Sequence, residues 1–198
     1  MDMRKTALIL IDLQKGILDM PTVPHQVPTV PHQVPTVLAN AKTLVDFFRE
    51  NEAFIAFVRV QFHDGKDKLA PNAMQALPGK DTAADFSDFA PALGVTDNDY
   101  IVNKRGFSGF FGTDLDLQLR RRGIETLVLG GISTHAAVDS TARDAYQYAY
   151  NQYFITDAMA AARLELHDFP IQNVFPVMGQ TLTTQAFLEL AKSPAAKD

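Results

Sequence analysis

The sequence predicts an α/β fold: a three-layer αβα, Rossmann-like architecture in which a parallel six-stranded sheet carries helices on both faces. Two observations carry the prediction. Short apolar runs with the length and branching of buried parallel strands recur along the chain, and stretches of helical spacing or composition separate them. Parallel strands need crossovers, and right-handed crossovers cover both sides of a sheet. The 198 residues, 46% of them hydrophobic, are enough for a single domain with a large core.

Thr6 to Leu13 is a near-continuous apolar run and reads as a central strand, with Asp12 at its carboxyl end. A carboxylate there needs a reason, because burying a charge alone is costly. It either braces the next loop or works in a site. Residues 21–37 hold Pro-Thr-Val-Pro-His-Gln-Val twice in tandem, followed by a third Pro-Thr-Val. Proline donates no main-chain hydrogen bond, so the stretch reads as an extended surface loop lengthened by local duplication. His25 and His32 are copies within that repeat and read as solvated, not as ligands. Val37 to Asn51 reads as a helix with Val37, Ala41, Leu44, Val45 and Phe48 on one face. Ala53 to Val60 is the second strand, and it delivers Gln61 and His63 to the same end as Asp12. Gly65 to Asp97, rich in Pro, Gly, Asp and Lys, reads as a long loop of the kind that forms lids.

Tyr100 to Asn103 is the third strand, which aims Lys104 at the ligand side; the alternative for Lys104 is a solvated surface position. Phe107, Phe110 and Phe111 follow among glycines, a tight loop whose rings suit an apolar pocket wall or an interface. Asp114 to Arg122 reads as a helix closed by Gly123. Thr126 to Leu129 is the fourth strand, ending at Gly130-Gly131, after which Ser133 and Thr134 can cap a helix striped by Val138, Ala142, Ala145 and Ala149. The unpaired N–H groups of such a helix start favour an anion. In an open sheet the ligand crevice lies at the carboxyl ends of the strands, which places Gly131 to Ala137 there. A junction shaped only for packing is the competing reading. Tyr153 to Ile155 is the fifth strand, running out at Asp157 to Ala161. A helix from Leu164 to Phe175 is interrupted by Pro170, Thr181-Leu182 is the last strand, and Thr184 to Ala191 the last helix.

The net charge of −5 and the lack of a basic block point away from nucleic acid and anionic membranes and toward a small-molecule partner. No apolar run approaches the roughly 20 residues of a membrane span. The opening Met-Asp-Met-Arg-Lys runs directly into a strand, so the expected location is cytoplasmic. Cysteine is absent, which removes disulfides, thiolate metal sites and a thiol nucleophile together.

Leu10-Ile11-Asp12-Leu13-Gln14, then Lys104-Arg105-Gly106-Phe107-Ser108-Gly109-Phe110, then Gly131-Ile132-Ser133-Thr134-His135-Ala136-Ala137 continuing to Ala145 occur in that order over most of the chain. This combination resembles the isochorismatase-like hydrolases, the cysteine hydrolase family. The resemblance implies an acid, a lysine and a cysteine as the catalytic trio, at Asp12, Lys104 and the position held here by Ala137. It further implies a cis peptide before Ser133 and an oxyanion hole from the N–H groups of Ser133 and Ala137. Gln61 matches a substrate-contacting glutamine, and Phe107, Phe110, Thr134 and His135 are the other candidate substrate-binding residues; for His135 a packing role is equally open.

The alanine splits the function. Amide hydrolysis by this family passes through a thioester and needs the thiol. Vinyl-ether hydrolysis by isochorismatases proper needs an acid instead, and such members can carry a glycine at that position. Asp12 would be the acid, acting on a small anionic substrate such as isochorismate, while Lys104 holds a carboxylate or orients Asp12. The alternatives are a non-catalytic binding member, or an amidase whose cysteine is replaced by Ala137. No cofactor is expected, and no metal, since Gln61-Phe62-His63 carries an amide where metal-binding relatives carry an acid. The resemblance also implies a homodimer or homotetramer.

Overall fold

Strand β1, Thr6–Ile11, is buried at every residue, and its side chains divide by parity between two cores. Leu8 and Leu10 enter one apolar cluster, Ala7, Ile9 and Ile11 the other. A strand covered on both faces needs apolar residues at odd and even positions alike. It lies inside a six-stranded parallel sheet of order β3-β2-β1-β4-β5-β6. The other strands are β2 (Phe54–Val60), β3 (Tyr100–Lys104), β4 (Thr126–Ile132), β5 (Asn151–Ala160) and β6 (Gln180–Leu182). This is the predicted class. The computed structural model describes residues 1–19, 32–69, 71–73 and 83–193.

After β1 comes the short α1 (Lys15–Leu18). Helix α2 (Val34–Glu50) and the C-terminal α7 (Thr184–Lys192) fill one face, where Phe48 stacks on Phe187 with centroids 6.0 Å apart. Helices α3 (Leu115–Arg121), α4 (Asp139–Gln147) and α6 (Phe175–Met178) fill the other, where Phe154 of β5 stacks on Phe175 at 4.1 Å. Pro170 marks the break between α5 (Leu164–Phe169) and a π-helical turn leading to α6, so the interrupted helix is present in two pieces. Among the described residues no helix is long and apolar enough to cross a membrane.

Several boundaries differ from expectation, each for a local reason. Helix α2 starts at Val34, because Val34-Pro35-Thr36-Val37 of the repeat forms its first turn; a proline is tolerated there since the first-turn N–H has no intrahelical partner. Residues 20–31, and with them His25, lie outside the described residues. His32 is half-buried with its ring edge-on to His167, centroids 5.6 Å apart, so it is not a solvated copy. Strand β1 stops at Ile11, where Asp12 turns the chain at φ 57°. Strand β3 includes Lys104 as its last residue.

Strand β4 does not end at the glycines but runs through them to Ile132, and β5 continues alongside to Ala160 past an irregularity between Leu129 and Gly131. The glycines serve close approach. Gly131 sits at φ +133°, and a Cβ there would lie 2.1 Å from the carbonyl oxygen of Ile11. Gly131→Ala is therefore expected to cost more than about 3 kcal/mol, or to prevent folding, as read by denaturant unfolding. The helix after β4 begins with a π-helical turn, Thr134–Val138, and neither Ser133 nor Thr134 caps it with a side chain. Ala149 falls beyond the end of α4, at φ 62°.

Of the long 65–97 loop, residues 70 and 74–82 lie outside the described residues. Its later part is pinned to the end of β1. Ala90 N–H donates to the Leu13 carbonyl at 3.0 Å, Lys15 N–H to that of Asp88 at 2.8 Å, and Gly16 N–H to that of Phe86 at 3.0 Å.

Candidate active site

Strand order reverses between β1 and β4, which opens a crevice at their carboxyl ends. Register then decides what meets there. Ile11 pairs with Gly131 on one side and Val58 on the other, and Val60 pairs with Lys104. Asp12, Gln61, Lys104 and Ser133 thus stand at four adjoining strand ends.

Lys104 is not on the surface. Its side chain is 1% exposed and that of Asp12 6%, with Nζ 2.8 Å from Asp12 Oδ2 and donating to the Phe107 carbonyl at 2.6 Å. Asp12 Oδ1 is buried with no hydrogen-bond partner among the described residues. Burial pushes the Asp12 carboxyl up to about 6, against the opposing pull of the Lys104 ammonium. Desolvation wins because one oxygen receives nothing. A carboxyl raised to about 6 keeps a protonated fraction near neutral pH, and with a buried oxygen that has no partner among the described residues it is placed to donate.

The aromatic loop is bolted to α4. Ser108 Oγ donates to Asp144 Oδ2 and accepts from Phe110 N–H, while Thr141 Oγ1 accepts from Gly109 N–H at 2.9 Å and donates to the Ala137 carbonyl at 2.7 Å. Phe110 is consequently buried, with its ring centroid 5.5 Å from Tyr148 and 6.0 Å from Tyr150, in the cluster that includes Ala137, Ile11 and Val58. Phe107 is 47% exposed. Ala137 is buried in the turn directly after β4, and the Ile132–Ser133 peptide is cis.

Thr134 and His135, neighbours in that turn, are held differently. Thr134 Oγ1 and His167 Nδ1 share a buried hydrogen bond of 2.9 Å, and the His32 ring meets that of His167 edge-on. Burial, aided by His32, pushes His167 down to about 4, against a weaker pull from Asp168. The unfolded chain therefore binds more protons than the folded one between pH about 6.5 and 4, so His167 stabilises fully above 6.5 and loses that contribution as pH falls through 4. His167→Ala, which leaves the Thr134 hydroxyl unpaired, is expected to cost about 1–3 kcal/mol at neutral pH. Urea unfolding at several pH values should show that deficit shrinking as the solution is acidified. His135 is half-buried, and burial with Arg163 nearby holds its pKa below the ordinary value; its Nδ1 has no partner among the described residues.

Two residues of this end escaped the sequence reading as site residues. Gln14 is fully buried: its Nε2 donates to the carbonyls of Val60 and Phe86 at 3.1 and 2.9 Å, and its Oε1 accepts from Val60 N–H at 2.7 Å. It ties the end of β1 to the end of β2 and to the 86–90 segment. Its place two residues after Asp12 was visible, but nothing in the sequence says what a glutamine there bonds. Arg59, a charge near the end of an otherwise apolar strand, was the better signal. Its Nη2 donates to Gln61 Oε1 at 2.9 Å. Among the described residues no three His, Cys, Asp or Glu side chains converge to hold a metal ion.

A buried acid–lysine pair stands beside a glycine-to-helix turn on this sheet order, and sequence comparison gives the class. The chain belongs to the isochorismatase family: the Isochorismatase domain model matches residues 6–186. It is 48% identical over 193 residues to the uncharacterized isochorismatase family protein YwoC of Bacillus subtilis, covering 96% of each chain. It is 34% identical over 130 residues to the ureidoacrylate amidohydrolase RutB of Acinetobacter baylyi, covering 64% of this chain and 53% of that one. An isochorismatase family protein from Burkholderia thailandensis superimposes with a TM-score of 0.85 at 36% identity, over 92% of this chain and 93% of that one.

Proposed function

We propose that the protein is an isochorismatase-type hydrolase that works without a nucleophilic thiol, cleaving the vinyl ether of a small anionic substrate such as isochorismate with Asp12 as general acid. The observation that carries this reading is the buried, unpartnered Oδ1 of an Asp12 whose carboxyl is raised to about 6. The protonated carboxyl transfers its proton to the terminal CH2 carbon of the enolpyruvyl group. The C=C π pair forms the new C–H bond and leaves an oxocarbenium ion. Water adds to that carbon, returning a proton to the Asp12 carboxylate, and the hemiketal collapses to pyruvate and the ring alcohol.

Lys104 keeps the ionised form of Asp12 tolerable between turnovers, and its bond to the Phe107 carbonyl holds the aromatic loop over the site. Ser133 and Ala137 contribute main-chain N–H groups, and Thr134, His135, Phe107, Phe110 and Gln61 are the candidate contacts to substrate.

The test is pyruvate release from isochorismate by the purified protein, followed by coupling to lactate dehydrogenase. Catalytic release supports the reading, and none at any pH between 5 and 8 overturns it. The similarity to ureidoacrylate amidohydrolases favours a second reading, in which the scaffold is that of an amidase and Ala137 has silenced it; restoring the thiol separates the two.

A further inference from the structure

If the site takes a small anion, as the proposed function holds, its charge must be met by a cation, and Lys104 cannot serve. That ammonium is 1% exposed and turned inward onto Asp12 Oδ2 and the Phe107 carbonyl. Arg59 is different. It is half-buried at the end of β2, and its guanidinium is held by neutral oxygens: Nε donates to Asn103 Oδ1 at 2.9 Å, Nη1 to the Ser87 carbonyl at 3.1 Å, and Nη2 to Gln61 Oε1 at 2.9 Å. Its charged carbon lies 5.4 Å from the centre of the Phe89 ring. Among the described residues it makes no ion pair, and Asp88, the carboxylate whose field reaches it, is bonded to Lys15 at 3.4 Å instead.

A half-buried cation satisfied only by neutral acceptors retains electrostatic demand for an anion. Three of its five N–H bonds are used, so two remain. The same contact orients Gln61: its oxygen accepts from Arg59, and its Nε2 donors have no partner among the described residues. Gln61 is itself tied to the catalytic strand ends, its main-chain N–H donating to the Lys104 carbonyl at 3.2 Å. Arg and an amide side by side, donors only, match the two oxygens of a carboxylate.

We propose that Arg59 is the carboxylate-binding residue of this site and orients Gln61 as the second donor, so that the protein selects substrates bearing a carboxylate. The probe is benzoate, with benzamide as its neutral counterpart, titrated into 15N-labelled protein at millimolar concentration. Benzoate should shift the Arg59 Nε–H and Gln61 side-chain amide signals, and benzamide should bind at least about tenfold more weakly. Arg59→Gln should weaken benzoate by about tenfold or more and erase the preference, Arg59→Lys should restore part of it, and Asp12→Asn should leave binding in place.

A purely structural Arg59, strapping Ser87 to the sheet, would lower the melting temperature of Arg59→Gln while leaving benzoate affinity unchanged, and that result overturns the proposal. So does the absence of any benzoate-specific shift, or tighter binding of inorganic phosphate than of benzoate. None of these outcomes depends on turnover, so failure here and failure of vinyl-ether hydrolysis are separate results.

Discussion

Asp12→Asn is expected to lower pyruvate release from isochorismate by about two to four orders of magnitude, the usual worth of a positioned general acid. The amide is nearly isosteric and can still accept from Lys104, but it has no proton to give to carbon. Because only the protonated carboxyl is active, wild-type kcat/KM should be level below pH about 6 and fall about tenfold per unit above it. Asp12→Asn should flatten that limb along with the rate. A variant that keeps wild-type turnover, or a wild-type profile with no limb near 6, rules Asp12 out as the acid.

Stability provides an independent check on the same group. The folded state holds the Asp12 proton more tightly than the unfolded chain between pH 3.8 and about 6. Its contribution is therefore full below 3.8 and is lost as pH rises through 6, by about 3 kcal/mol. Asp12→Asn lacks this slope. Its stability relative to wild type should improve across that window, measured by urea unfolding at matched ionic strength.

Ala137→Cys is expected to convert the site from acid to thiol chemistry. The new sulfur would stand in the turn after β4, next to the end of β1, where Lys104 reaches Asp12. An ionised carboxylate there can take the thiol proton, and the thiolate can attack an amide carbonyl. With no other cysteine in the chain, any labelling by iodoacetamide reports this site alone. It should be at least about tenfold faster than labelling of free cysteine at the same pH, since reactivity follows the thiolate fraction. Ureidoacrylate hydrolysis, which the wild type without a thiol is expected to lack, should appear. Slow labelling and no amidase activity would mean that the turn no longer supports a nucleophile, and would count against the amidase-scaffold reading. Faster pyruvate release by Ala137→Cys would count against the thiol-free mechanism.

The layer architecture was legible because β1 and the apolar strands beside it are buried on both faces, and that leaves a mark at every residue. Asp12 and Lys104 were legible as polar residues at the ends of such strands. The boundaries were not. Gly130 and Gly131 look like a strand terminus in one dimension; they lie within a strand that runs on to Ile132, and at Gly131 the backbone of Ile11 passes too close for a side chain. Val34 to Val37 look like a proline-rich loop, yet a proline in the first helical turn is no obstacle. Asp157 to Ala160 extend β5 only because β4 offers partners beyond the irregularity at Gly131.

By itself the sequence determined the fold class, the absence of a thiol and the two charged residues at the strand ends, because each depends on residue type and local spacing alone. Only the tertiary structure decided which charges are spent and which are available. Register brings Lys104 onto Asp12, leaves one Asp12 oxygen without a hydrogen-bond partner, and sets Arg59 against Gln61 with no ion pair among the described residues. Those outcomes depend on desolvation and distance between strands far apart in the chain, which no local pattern records.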